Sequence, residues 1–404
     1  MIRRFALAAA VAAALLPSAP VRAQDVVKDP PKDWRSNLQL EAATYGGAFD
    51  GEGTRTDSGG VAVLELRGSP ALHREGWWLD VPFRLAHRET FGASLSQTTG
   101  AIDLAPWFVL TRTLRVGLEA GVYGRSSPDW PDQYQRDPVT GALAPTDRYG
   151  YFAARGGAVL YARPAQHQHV RARYRYVSQD YQTDPNFDPN NPMHLTPRSN
   201  TRHELGGSWR YVEHAWALAF HLDYTRRYET ELLARNAGTG GTSGGTNPLQ
   251  VTSLWAPAVE LELRRLLDGR LELSLGYGLD VQDDTFQGYY SYTEHHPRVV
   301  ARLDVTRRLS AAARYEGWFR TYGPNGTSPS RLDYGTRRES ARFLLGGEVG
   351  YQLGGGLTAR ANVEYVDRGT NYPDYVPPPA GTSAYDINWD YTNLYAVLGL
   401  EYRM

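Results

Sequence analysis

The chain has 404 residues, 43 Lys and Arg against 44 Asp and Glu, a formal net charge of −1 and no cysteine. Balanced charge excludes a basic nucleic-acid-binding face, and the missing thiols exclude a disulfide framework, a lipid-modified cysteine and a thiolate metal site. Hydrophobic content of 41% with a mean hydropathy of −0.50 excludes a bundle of transmembrane helices, each of which needs about 18 or more consecutive apolar residues.

Met1 to Arg4 carry two arginines, Phe5 to Leu16 are apolar, and Val21-Arg22-Ala23 supplies a small-x-Ala site. That order predicts a secretory signal peptide over residues 1–23, too short to span a bilayer. Its removal takes away Arg3, Arg4 and Arg22, leaving 40 basic against 44 acidic residues. Residues 24–36, with Pro30, Pro31 and the two lysines Lys28 and Lys32, read as a periplasmic linker. Positive charge elsewhere is all arginine, whose planar fork binds carboxylates, phosphates and sulfates bidentately.

From residue 37 onward the chain is a succession of period-two segments of roughly ten residues, the length that crosses an outer membrane at a tilt. They are Leu38 to Tyr45, Val61 to Arg67, Trp77 to Leu85, Ala101 to Leu110, a segment from Leu114, Phe152 to Arg163, Val170 to Tyr181 and Arg202 to Tyr211. Then follow Trp216 to Tyr224, Val251 to Arg264, Leu271 to Val281, Val299 to Val305, Leu309 to Tyr322, Ser340 to Gln352, Leu357 to Val366 and a last strand from about Asn388. Asp268-Gly269 and Gly354-Gly355-Gly356 mark hairpin turns. Short turns alternate with longer loops at Gly46–Gly60, Glu89–Gly100, Arg125–Arg148, Gln182–Asn200, Thr230–Pro248, Gln282–His296, Gly323–Thr336 and Asp367–Ile387.

This alternation predicts an all-β fold, a transmembrane antiparallel up-and-down barrel of about sixteen strands (14–18), with short periplasmic turns and long outer loops. A β-sandwich gives similar strands but has no reason for strict short-long alternation. The 27 Tyr, 10 Trp and 41 Gly suit interfacial girdles and sheet surfaces. In the final stretch Leu394, Ala396, Leu398, Leu400, Tyr402 and Met404 share one side, and Tyr395, Val397, Gly399, Glu401 and Arg403 the other. Such an ending resembles the C-terminal signal of Gram-negative outer-membrane β-barrels, with Met404 where a Phe or Trp is usual. The resemblance implies outer-membrane lipids and the barrel insertion machinery as partners, and an outer-membrane location reached through the periplasm.

About sixteen strands are wide enough for an aqueous lumen. The inward face is dense in charge: Arg171, Arg173 and Arg175 alternate on one strand, joined by Arg155, Arg115, Glu119, Arg210, Arg314, Arg342 and Arg360. These ten residues are the candidate solute path, as a mixed ion-pair lattice or as an arginine ladder for anions. Loop Arg125–Arg148 is the third outer loop. In general porins, which the chain resembles in this respect, that loop folds inward, so Asp129, Trp130, Asp132 and Tyr134 are the candidate constriction. Asp184, Asn186, Asp188 and Asn190 have the alternation of a calcium loop, but the sixth position lacks glycine and the twelfth is Leu195. No metal and no cofactor is expected. His221 with Asp223, Asp283 with Asp284, and Glu294-His295-His296 are the nearest approach to catalytic sets, and no motif links them to a nucleophile. The chain is not expected to be an enzyme.

Three functions follow. An arginine and tyrosine lining suits an acidic exopolysaccharide, since sugars stack on rings and their carboxylates pair with arginine. In this the chain resembles exopolysaccharide-export barrels, which implies a periplasmic or outer-membrane export partner. Strand count and the third loop suit a general diffusion porin. A plugged structural or adhesive barrel would instead work through loops Thr230–Pro248 and Asp367–Ile387, the first of which carries a flexible Gly-Thr-Ser run over residues 238–245.

Overall fold

The computed structural model describes residues 38–51, 55–91, 95–126, 131–136, 143–145, 150–181, 199–234, 246–323, 337–370, 374–376, 385–387 and 391–403. Residues 1–37, which include the expected signal peptide and linker, and Met404 lie outside them. The chain enters one antiparallel sheet as β1 (Leu38–Gly51), β2 (Arg55–Gly68), β3 (Ala71–Arg74), β4 (Trp77–Asp80), β5 (Phe83–Phe91), β6 (Leu95–Thr111) and β7 (Leu114–Ser126). β8 (Pro131–Arg136) and β9 (Leu143–Pro145) pair only with each other. The sheet resumes with β10 (Tyr151–Ala165), β11 (Gln168–Tyr181), β12 (Asn200–Val212), β13 (Trp216–Leu233), β14 (Leu249–Arg265) and β15 (Leu271–Asp284). β16 (Tyr292–Asp304), β17 (Leu309–Tyr322), β18 (Glu339–Gly354) and β19 (Leu357–Thr370) continue it, β20 (Asp374–Val376) and β21 (Tyr385–Ile387) form a separate hairpin, and β22 (Tyr391–Arg403) returns.

β1 pairs with β2 on one side and with β22 on the other, Leu40 lying opposite both Leu66 and Tyr402. The ladder then runs from β22 through β19 and strand by strand back to β2, so the sheet closes on itself, with the short β3 paired on one side among the described residues. The barrel is closed.

Its strand number is sixteen, because two proline-broken segments count double in the element order. Gly68 faces Phe83 and Ala71 faces Asp80 in one uninterrupted register, so β2 with β3, and β4 with β5, are two long strands turning at Glu75-Gly76. β6 reads the second of them without a slip, Ile102 opposite Phe83 and Ala105 opposite Asp80. Pro70 and Pro82 sit in the gaps; lacking an N–H they cannot donate to the ladder, while their carbonyls accept from Val81 and Asp103 at 2.9 Å. Pro257 and Pro297 leave similar two-residue gaps in the β14–β15 and β16–β17 ladders with the register kept across each gap.

Three expected loops are shorter than the sequence suggests. Gly46–Gly60 contracts to residues 52–54 and Glu89–Gly100 to 92–94, because Gly46, Gly47, Gly59 and Gly60 pair in the ladder without side chains to display the alternation. Gln282–His296 contracts to 285–291, since β16 begins at Tyr292 and Pro297 only interrupts it. The turn side is as tight as expected: Gly354, Gly355 and Gly356 all take positive φ, which only glycine adopts freely.

The outer face is apolar. Leu118, Leu160, Leu205, Leu222, Leu345, Val363 and Leu398 are 41–68% exposed, an arrangement stable only where lipid replaces water. Aromatic rings edge this band at two heights. Trp209, Tyr211 and Trp216 stack near the short turns, with Tyr402 at the same end. Toward the long loops lie Tyr174 and Tyr176 against His203, Tyr224 against Trp255, and Tyr277 against His295. From His203 to Tyr211 along β12 is about 26 Å at ~3.3 Å per residue, which at a tilt of about 40° rises roughly 20 Å, most of the height of an apolar band about 25 Å tall. Closed even-stranded barrels with two girdles are the spanning structures of outer membranes. The chain is an outer-membrane β-barrel.

Candidate functional site

The inner wall is laid in two layers. Small side chains form the lower one: Ala153, Val159, Val177, Ala217, Ala219 and Val300 are at most 8% exposed. Arginines and carboxylates lie over them. One device recurs, in which an arginine reaches across a glycine of the intervening strand to a carboxylate two strands away. Asp103, Gly121 and Arg155 form one such row, Glu119, Gly157 and Arg175 a second. Arg173, Gly206 and Asp223 form a third, and Arg314, Gly346 and Glu364 a fourth. A Cβ at Gly121 would stand 1.9 Å from Asp103 Oδ1, and one at Gly346 would stand 2.9 Å from Arg314 Cγ and Nε. The empty glycine position is what lets the ion pair lie flat against the wall.

These pairs differ in tightness. Arg155 grips Asp103 with two bonds, one of 2.7 Å from Nε. Arg175 is 2.8 Å from Glu119 and 3.5 Å from Glu204, and is 17% exposed. Arg210 donates to Glu262 at 2.8 Å, Arg314 to Glu364 at 2.5 Å, and Arg360 pairs with Glu401, itself 1% exposed. Arg171 and Arg173 are looser: Arg171 approaches Glu119 only to 3.8 Å and is 44% exposed, and Arg173 approaches Asp223 to 3.7 Å. Arg115 and Arg342 have aromatic partners instead, Arg115 lying 5.4 Å over Trp78 and Arg342 4.6 Å over Trp318. Trp78 itself stacks on Trp107 at 5.6 Å.

Tyr161 lies between Arg115 and Arg171, paired to both in register, so these cations flank one inward ring beside the Trp78–Trp107 stack. All ten sequence-selected path residues thus lie on the inner face, but in different roles. Five of them, Arg155, Arg175, Arg210, Arg314 and Arg360, hold carboxylates closely, while Arg171 and Arg173 stand 3.7–3.8 Å from theirs and Arg115 and Arg342 lie over aromatic rings.

Asp129, Trp130 and the calcium-like residues Asp184, Asn186, Asp188 and Asn190 lie outside the described residues. Asp132 and Tyr134 belong to β8, paired with β9. His221 and Asp223 share the inner face of β13, where Asp223 faces Arg173. Asp284 is 4% exposed and closes the loop after β15 by accepting from the backbone N–H groups of Phe286 and Tyr290.

Sequence reasoning missed Asp103, Asp280, Glu294 and His296 as wall residues. Asp103 stands between Ile102 and Leu104 and Glu65 between Leu64 and Leu66, an alternation that marks them as inward. Glu294 and His296 were hidden by the loop expected over Gln282–His296.

No protein-family model and no curated protein matches the chain. Among solved structures it is similar to OccAB1 of Acinetobacter baumannii at 10% identity over 91% of this chain and 97% of that one, with a TM-score of 0.48. OprB of Pseudomonas putida is similar at 11% identity over 92% and 94%, TM-score 0.48. A bacterial polysaccharide outer membrane secretin is similar at 10% identity over 91% and 98%, TM-score 0.44.

Proposed function

We propose that the protein is an outer-membrane channel for polar, anionic solutes, delivered by the signal peptide of residues 1–23, and that its preferred solutes are carboxylated sugars. The observation that carries this reading is the split within the arginine set. Arg175 is neutralised by two carboxylates, whereas Arg171 and Arg173 stand 3.7–3.8 Å from acids they do not grip. Loosely held guanidinium groups on a wet wall exchange one carboxylate for another at little cost, which suits conduction, where binding must be weak enough to release. Arg115, Tyr161 and the Trp78–Trp107 stack add ring faces beside those charges, and a sugar carboxylate uses both. The channel does no chemistry.

Flux of glucuronate and glucose into proteoliposomes tests the proposal. The uronate is expected to enter faster than the neutral sugar of similar size, and Arg171→Ser with Arg173→Ser to remove that preference while glucose flux persists. Equal entry of both sugars into wild-type vesicles would overturn it. A preference for any small anion over glucuronate would favour a general diffusion pore.

A further inference from the structure

On the loop side of the wall, β15 and β16 bring three ligand-bearing side chains to one point. Asp280 and Glu294 are directly opposed in register and both face inward, and His296, two residues on from Glu294, faces the same way. His296 is opposite Gly278, and a Cβ there would meet the His296 Cβ at 3.4 Å, so the glycine leaves the imidazole room to lean toward Asp280. Its Nε2 lies 3.0 Å from Glu294 Oε1 and 3.3 Å from Asp280 Oδ2, and the three ligand atoms all fall within 4.8 Å of one another.

Two carboxylates directly opposed across a strand pair repel, so this point calls for a cation. Arg320 meets part of that need. Its Nε donates to Glu294 Oε2 at 2.7 Å while its guanidinium is stacked 4.0 Å over Tyr292, which leaves Oε1 and Asp280 facing His296. The imidazole Nε2 stands at ion-pair distance from both oxygens. Nε2 is enclosed and has no hydrogen bond of acceptable geometry to either oxygen, pointing between the two.

We propose that Asp280, Glu294 and His296 form a binding site for a first-row divalent cation of the zinc class. Donor atoms about 2.0–2.1 Å from a tetrahedral zinc ion stand about 3.3 Å apart, and the separations around Nε2, 3.0 and 3.3 Å, are close to that. One imidazole and two carboxylates suit zinc and its neighbours and are poorly matched to calcium, which takes six or more oxygens. Arg320 fixes the Glu294 carboxylate from outside the ligand set, and Trp318 stands edge-on to His296 at 6.2 Å. The ion's remaining coordination faces the lumen, so its occupancy adds positive charge beside the solute path.

The test uses the purified, folded barrel in detergent, with Zn2+ counted by elemental analysis after dialysis and Co2+ followed by its visible ligand-field bands. One equivalent is expected in wild type and in His295→Ala, whose imidazole faces outward against Tyr277. His296→Ala and Asp280→Asn are expected to lose it, and Arg320→Gln to weaken it about 10- to 100-fold. Retained heat-modifiable mobility on gels shows that each variant folds, and Asp280→Asn keeps the test open should His296→Ala fail to. Wild type that holds no more Zn2+ than His296→Ala, or Co2+ bands unchanged in Asp280→Asn, would overturn the site. These readouts do not depend on conduction, so they stand or fall apart from the channel.

Discussion

Gly346→Val tests the idea that inner-wall glycines exist to let ion pairs lie flat. In the wild type the Arg314 stem crosses Gly346 on its way to Glu364, and the atoms nearest a new Cβ are Arg314 Cγ and Nε at 2.9 Å and Cδ at 3.4 Å. A valine therefore displaces the stem and breaks the 2.5 Å bond to Glu364, whose side chain is 9% exposed against 23% for Arg314. An exposed pair contributes about 0–1 kcal/mol and breaking a buried one costs about 3–5 kcal/mol. With Asn362 still donating to Glu364 at 2.8 Å, the expected loss is about 2–3 kcal/mol. In an Arg314→Ala background there is no stem to displace, and valine is expected to be neutral or to gain about 0.5–1 kcal/mol, because glycine weakens a strand interior. Reversible urea unfolding in lipid vesicles measures the four members of this double-mutant cycle. Equal losses from Gly346→Val in both backgrounds would refute the reasoning.

Other expectations follow from the outer face and the turns. Leu222→Arg, at mid-height opposite Gly207, is expected to cost about 2–4 kcal/mol, and Tyr211→Arg at the girdle about 0–1 kcal/mol; equal costs in the same unfolding assay would contradict the assigned membrane position. In the turn after β12, the Tyr211 hydroxyl donates to Glu213 at 2.7 Å and holds that carboxyl below its ordinary range. A depressed folded pKa means that the bond's contribution is present above the unfolded value and is lost as pH falls through the folded one. Tyr211→Phe is therefore expected to raise the Glu213 pKa seen by carbon NMR, and an unchanged titration would show that the bond has no effect.

The strand pattern is legible in the sequence because a barrel shows its two environments on alternate residues, as in Leu398, Leu400 and Tyr402 against Glu401. All sixteen strands lie where the alternation places them. It fails where glycine or proline removes the signal. Gly46, Gly47, Gly59 and Gly60 hide paired backbone, Pro297 hides the start of β16, and Pro70 and Pro82 break strands whose register does not change. The partners on the wall were not legible at all. That Arg173 meets Asp223 while Arg155 meets Asp103 depends on cross-strand register between segments tens of residues apart, and no local spacing encodes it. For the same reason Glu294-His295-His296 shows three adjacent residues, whereas the fold sends His295 to lipid and gathers Asp280 from the neighbouring strand.

The central claim is that loosely held arginines make the lumen an anion path. The most direct measurement is the reversal potential of single channels in a planar bilayer under a potassium chloride gradient, for wild type, for Arg171→Ser with Arg173→Ser, and for Arg175→Ser. Anion selectivity is expected in wild type, its loss in the double variant, and a smaller change in Arg175→Ser, whose charge is already answered by Glu119 and Glu204. Cation selectivity in wild type, or a well-inserted barrel that passes no current, would contradict it.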